Sequence, residues 1–169
     1  MALYQIFNGP SPTTAAQVPV TTGTSIKTLL QVKPSATIAV QIIEWGISFD
    51  GSAAATPIKV ELLETDVAAT VTASAAADIT KLDAAALAGG DPTTNLIPVG
   101  TTSTGYTSTG EGSITSVRMF DAQLIAPTNQ YVKQFPLGCE PVIQISKFGR
   151  IRVTAGAAVN AYCYMTIRV

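Results

Sequence analysis

The chain has 169 residues, of which 47% are hydrophobic and only 12% charged, with a formal net charge of −1 and no histidine. That length allows one domain burying about 70% of the surface its unfolded form exposes, and the charge content lies well below the roughly 25% of an ordinary soluble domain. No window approaches the roughly 20 apolar residues of a membrane span. A near-neutral balance gives nucleic acid no overall attraction, and the missing histidine removes Ser-His-Asp and Cys-His catalysis and the usual zinc sites.

Residues 1–24 open with "MALYQIFNGPSPTTAAQVPV", strand-like pieces broken by three prolines and without the basic start and apolar run of a signal peptide. This reads as an extended N-terminal arm suited to a neighbouring subunit's sheet edge, with Tyr4, Ile6 and Phe7 as its contact residues. The remainder, 25–169, is expected to form a single β-sandwich domain. Its first strand is predicted at Ile26 to Lys33, where Ile26, Thr28, Leu30 and Val32 share one side before Pro34 ends the ladder. The next run is apolar at Ile38, Val40 and Ile42, then at Ile43, Trp45, Ile47 and Phe49. A period of two cannot change faces unaided, so a β-bulge or bend is predicted near Ile42 and Ile43.

After the turn-rich "DGSAAATP", Ile58, Val60 and Leu62 alternate with Lys59 and Glu61, predicting a hairpin over 36–65. Its core residues are Trp45, Phe49, Ile58, Val60 and Leu62. Residues 66–113 are dominated by Ala, Thr, Ser and Gly and read as one long inserted excursion. Within it "DITKLDAAALAGG" predicts a short helix with Asp78 as N-cap, Ile79, Leu82 and Leu87 on one stripe, and Gly89 at its end. Strand signals resume in "SITSVRMFDAQLI", "QYVKQFPL", "PVIQI", "GRIRVTA" and "VNAYCYMTIRV". In the last, Cys163, Met165, Ile167 and Val169 face one way and Tyr162, Tyr164, Thr166 and Arg168 the other. The fold class expected is all-β, a jelly-roll-like β-sandwich. Cys139 and Cys163 have neither CxxC nor metal-ligand spacing and are expected to be free, buried thiols.

Few groups carry chemistry. Glu44 and Glu61 are placed opposite the apolar face of the predicted hairpin, and paired carboxylates cleave glycosides. The stronger reading is outer-face residues, solvated or paired with a lysine such as Lys59. Asp50 and Gly51 read as turn residues. No GxGxxG or GxxxxGK[ST] loop is present for nucleotide binding, so no cofactor and no metal are expected, and no enzyme activity. Lys147, Arg150 and Arg152 form a basic stripe on "GRIRVTA", read first as a solvated face, then as a protein contact, and last as a nucleic-acid contact. Tyr162 and Tyr164 on the polar face of the last strand read as interface rings or as rings beneath a second sheet.

The segments "EWGISFDG", "PIKVELLETDVAATVTA", "APTNQY", "QFPLG" and "SKFGRIRVTAGAAVNAY" resemble the small capsid-decorating, or cement, proteins of tailed bacteriophages, especially those of actinobacteria. The resemblance covers most of 43–73 and 113–163; residues 75–104 match poorly. It implies a jelly-roll-like subunit, a homotrimer, made in the host cytoplasm and seated on the outer capsid surface of the virion, where it bridges copies of the major capsid protein. No direct nucleic-acid or membrane partner is implied. The arm would then act by strand addition and Arg150 and Arg152 by pairing with capsid carboxylates, and removal of residues 1–20 would leave the sandwich folded. The readings from other classes are a virion surface module that recognises carbohydrate through 66–113, where Tyr106 is the one aromatic residue, and a tail-tube subunit.

Overall fold

The computed structural model of the protein describes residues 2–52, 55–82, 96–100 and 102–169. They form β1 (Leu3–Phe7), β2 (Val20–Thr21), β3 (Ile26–Val32), β4 (Val40–Asp50), β5 (Ile58–Thr65), β6 (Thr70–Ala73), β7 (Ile79–Lys81), β8 (Gly105–Gly110), β9 (Val117–Ile125), β10 (Gln130–Gln134), β11 (Val142–Ile143), β12 (Phe148–Thr154) and β13 (Asn160–Arg168). The strands build two antiparallel sheets. The first has the order β10-β4-β13-β1-β7, with β11 also on β4 and β2 on β13; the second runs β6-β8-β3-β12-β5-β9.

Setting aside the two-residue β2 and β11 and the strands that the segment 66–113 adds (β6, β7 and β8), the remaining strands in chain order pair sixth-third-eighth-first in one sheet and second-seventh-fourth-fifth in the other. That is the pairing order of a jelly roll, so the fold expected from the strand pattern is the fold found. Between the sheets lies one apolar cluster that includes Trp45, Ile47, Phe49, Ile58, Val60, Leu62, Cys163, Met165 and Ile167. In β13 the alternation is as read from the sequence, with Cys163, Met165 and Ile167 fully buried.

The bulge in β4 is also present. Thr166 pairs with Glu44 and the next residue, Ile167, pairs with Ile42, so Ile43 is the extra residue and the inward set passes from Val40 and Ile42 to Trp45, Ile47 and Phe49. Trp45 is wholly buried against the Tyr131 ring, at 5.3 Å between centroids.

Several expectations are corrected. Residues 36–65 are not a hairpin: β4 lies between β10 and β13 in the first sheet and β5 between β12 and β9 in the second, so the chain crosses the sandwich between them. Both sides of each strand are taken by partners far away in sequence. Ile26 is 47% exposed rather than inward, because β12 slips its register against β3 between Ile151 and Arg152 and the inward parity of β3 changes there. The helix from Asp78 does not form over the described residues. A single 3-10 turn at Ala76–Asp78 leads into β7, whose Ile79 pairs with Ile6 at the core; Leu82 is exposed, and Leu87 and Gly89 lie outside the described residues.

The segment 66–113 supplies β6 and β8 to one edge of the second sheet and β7 to the corresponding edge of the first. The expected N-terminal arm is likewise part of the fold. β1 is an inner strand between β13 and β7, with Tyr4 and Ile6 buried at 1% and 0% exposure. Its spacing of two apolar residues was the sequence signal, and the prolines that follow only end the strand. Cys163 is buried as expected, whereas Cys139 is exposed, in the turn closed by its own N–H donating to the Pro136 carbonyl at 2.9 Å.

Candidate interaction surfaces

The outer face of the second sheet was the expected basic stripe, and the structure closes it. Arg150 projects outward from β12 yet has no exposed surface. Its Nη1 donates to the Glu111 carbonyl oxygen at 3.1 Å and pairs with Glu111 Oε2 at 3.2 Å, and its Nη2 donates to the Val67 carbonyl oxygen. Glu111 in turn accepts from the Thr28 backbone N–H, the Thr28 hydroxyl and the Ser108 hydroxyl, each at 2.6 Å. Burial raises the Glu111 carboxyl, but the Ser108 and Thr28 hydrogen bonds and the Arg150 charge outweigh it and hold the group below the ordinary carboxylate range.

These contacts come from the two ends of the inserted segment, folded over the sheet. Gln31 Oε1 accepts from the Ala69 N–H at 2.8 Å, and Asp66 accepts from the backbone N–H groups of Thr115 and Ser116 at 3.2 and 3.1 Å and from the Thr115 hydroxyl. Gly112, at φ +72, lies where a Cβ would meet the Ala68 carbonyl oxygen at 2.8 Å, so only glycine lets the two ends approach this closely. Arg152 is half-buried and paired with Glu61 at 2.7 Å; Lys59 pairs with the same carboxylate at 3.3 Å. Of the stripe, only Lys147 lacks such a carboxylate partner among the described ion pairs.

Glu44 and Glu61 do not come together. Glu44 faces out from the first sheet, accepting the Tyr164 hydroxyl at 2.6 Å, and Glu61 faces out from the second, with sheets about 10 Å apart between them. Burial raises the Glu61 carboxyl, but Arg152 and then Lys59 outweigh it and its net shift is downward. Tyr164 is pushed up to about 12 by burial and the Glu44 carboxylate. Tyr106, the one aromatic residue of the segment 66–113, is half-buried in β8 opposite Leu30 and Thr72. Among the described residues no group of three or more His, Cys, Asp or Glu could hold a metal ion, and no helix is long and apolar enough to cross a membrane.

What the sequence reading missed is the open side of the sandwich. β9 ends the second sheet and β10 the first, joined by a turn at residues 126–129. The two strands meet through side chains: Asp121 accepts the Tyr131 hydroxyl at 3.0 Å and pairs with Lys133 at 3.3 Å. On these free strands and the loop after them, Val117, Met119, Leu124, Val132 and Leu137 are exposed by 46%, 56%, 74%, 54% and 88%. On the opposite side β6 exposes Thr70, Thr72 and Ala73. The sequence signal was the run "VRMFDAQLI", whose apolar residues change parity as those of β4 do: a bulge at Phe120 puts Val117, Met119 and Leu124 on one outward face.

Tyr162 and Tyr164 stand on the outer face of the first sheet, as read from the sequence, and among the described residues no second sheet covers them. Tyr162 is 36% exposed and its hydroxyl donates to the Gln17 carbonyl; Phe7 packs on Tyr164 at 5.7 Å between ring centroids. Comparison of the chain with protein-family models, with curated proteins and with solved structures finds no match.

Proposed function

We propose that the protein is a structural component of a virion, decorating and stabilising the outside of a bacteriophage capsid as a trimer that bridges major capsid proteins. The observation that carries the reading is the row of exposed apolar side chains, Val117, Met119 and Leu124, that β9 turns outward at the free edge of the second sheet. The edge itself is guarded by a bulge at Phe120 and by Arg118 and Lys133, so the contact is made by the outward apolar side chains and not by strand addition. Exposed apolar patches of this kind are surfaces for association. Such a patch meeting a different surface of the next copy is a head-to-tail contact, which closes into a ring when the rotation allows. The low charge of the chain suits repeated close packing, and the resemblance of 43–73 and 113–163 to cement proteins names the particle.

A trimer that binds the assembled shell and not its separated subunits raises shell stability by mass action, with avidity from its three subunits acting together. The test is a particle lacking the protein. It is expected to assemble and to release DNA at a lower temperature, and added purified protein is expected to restore it. Finding the protein only inside the shell or in the tail, or unchanged DNA release without it, would overturn the reading.

A further inference from the structure

The register of the first sheet places three rows of outward side chains side by side. Val132, Gly46, Tyr164 and Phe7 form one, running across β10, β4, β13 and β1. On one side of it lies the row Gln130, Ser48 and Tyr162, and on the other Gln134, Glu44 and Thr166. Where Gly46 stands the face has no side chain, and the Tyr164 ring lies across it: a Cβ there would sit 2.6 Å from Tyr164 Cε1. Beside that ring is a shallow depression of about 220 Å³ bordered by Phe7, Tyr162, Tyr164, Val132, Gln130 and Ser48.

Both tyrosine rings are fixed by their hydroxyls, Tyr162 on the Gln17 carbonyl and Tyr164 on Glu44, which leaves less motion to lose when something stacks on them. Glu44 is the one charged side chain in the three rows, and the Tyr164 hydroxyl occupies it. A surface whose one charge is negative offers little to nucleic acid, anionic lipid or an acidic peptide. Rings flanked by amides and a hydroxyl instead match the two aspects of a sugar, whose C–H face stacks and whose hydroxyls hydrogen-bond. The volume lies below the roughly 300 Å³ at which drug-sized pockets begin, so it suits a single ring with its neighbours lying along the sheet.

We propose that this face binds a neutral pyranose glycan, with Tyr162 as the stacking platform and Gln130 and Ser48 as the hydrogen-bonding groups. The proposal does not depend on the virion reading, and its site lies outside the segment 66–113.

The test is titration of the isotope-labelled full chain with cello-, malto-, manno- and chito-oligosaccharides, followed by NMR. At least one is expected to give saturable shifts confined to outward positions of β4, β10 and β13, with Kd on the order of 1 mM for so shallow a site. Tyr162→Ala is expected to weaken that binding about ten-fold. Gln130→Ala, at an exposed edge position that does not threaten folding, is expected to weaken it measurably, and Leu124→Ala on the opposite sheet to leave it unchanged. Absence of binding to all four probes, or binding indifferent to both Tyr162→Ala and Gln130→Ala, overturns the proposal. So does a change of sedimentation coefficient in Gln130→Ala or Tyr162→Ala, which would mark the face as covered by a second copy.

Discussion

Arg150 shows how a single side chain ties distant parts of the chain together. Its guanidinium reaches the Val67 and Glu111 carbonyl oxygens and the Glu111 carboxylate, from the two ends of the inserted segment. Removing one member of a buried pair leaves the other uncompensated, so Arg150→Ala is expected to cost about 3–5 kcal/mol in chemical denaturation. Glu61, Asp66 and Glu111 predict a shared acid sensitivity. All three are held below their ordinary values in the folded state, Asp66 falling from 3.8 to about 2 chiefly through the Thr115 hydroxyl. A lowered folded pKa means that the unfolded chain takes up the proton first. The stabilisation is therefore complete above the unfolded values of 4.5 for Glu and 3.8 for Asp, and is lost as pH falls through the folded ones. Urea midpoints measured from pH 7 downward are expected to stay level and then decline below about pH 5, and Asp66→Asn to flatten the part of the slope below 3.8.

At the scale of elements, β1 has most to lose. It is hydrogen-bonded on both sides, to β13 and β7, and buries Tyr4 and Ile6, the kind of side chain whose full burial contributes about 1.5–3 kcal/mol apiece. Deletion of residues 1–8 is expected to abolish the cooperative thermal transition, whereas an arm would be dispensable. The bulge at Ile43 and the alternation of β13 were legible in the sequence because side-chain parity is written residue by residue. The partner of a strand is not. "DGSAAATP" marks a turn without saying whether the chain returns alongside β4 or crosses to the other sheet, and the crossing follows only from β13 and β10 having taken both sides of β4. Arg150 was misread for the same reason: alternation correctly put it on the outer face, but its cover comes from residues about 39 and 83 positions away in the chain.

For the whole molecule, the two sides of the sandwich differ in kind. The edges extended by β6 and β7 present threonine, alanine and Lys81, and those of β9 and β10 present methionine, leucine and valine beside Arg118 and Lys133. Self-association is therefore expected to run through the second side. A charge at Leu124 or Leu137, both largely exposed, does not disturb the core, so Leu124→Glu and Leu137→Glu are expected to keep the wild-type circular dichroism and, at dilutions where the wild type is itself monomeric, its melting temperature. Sedimentation velocity at high concentration is expected to show oligomers of the wild type and monomers of the double variant. Equal sedimentation of the two would place the contact elsewhere.

Cys139 lies two residues beyond Leu137 in the same turn and is exposed, while Cys163 is sealed in the core with its thiol pushed well up by burial. Because thiolate and access together govern alkylation, a water-soluble maleimide should mark this chain once, at that tip and nowhere else. The chain thus comes with its own address. A heavy-atom or fluorescent tag at Cys139 would report by its position where each copy sits, and by its rate of attachment whether a neighbour is leaning on the Leu137 loop.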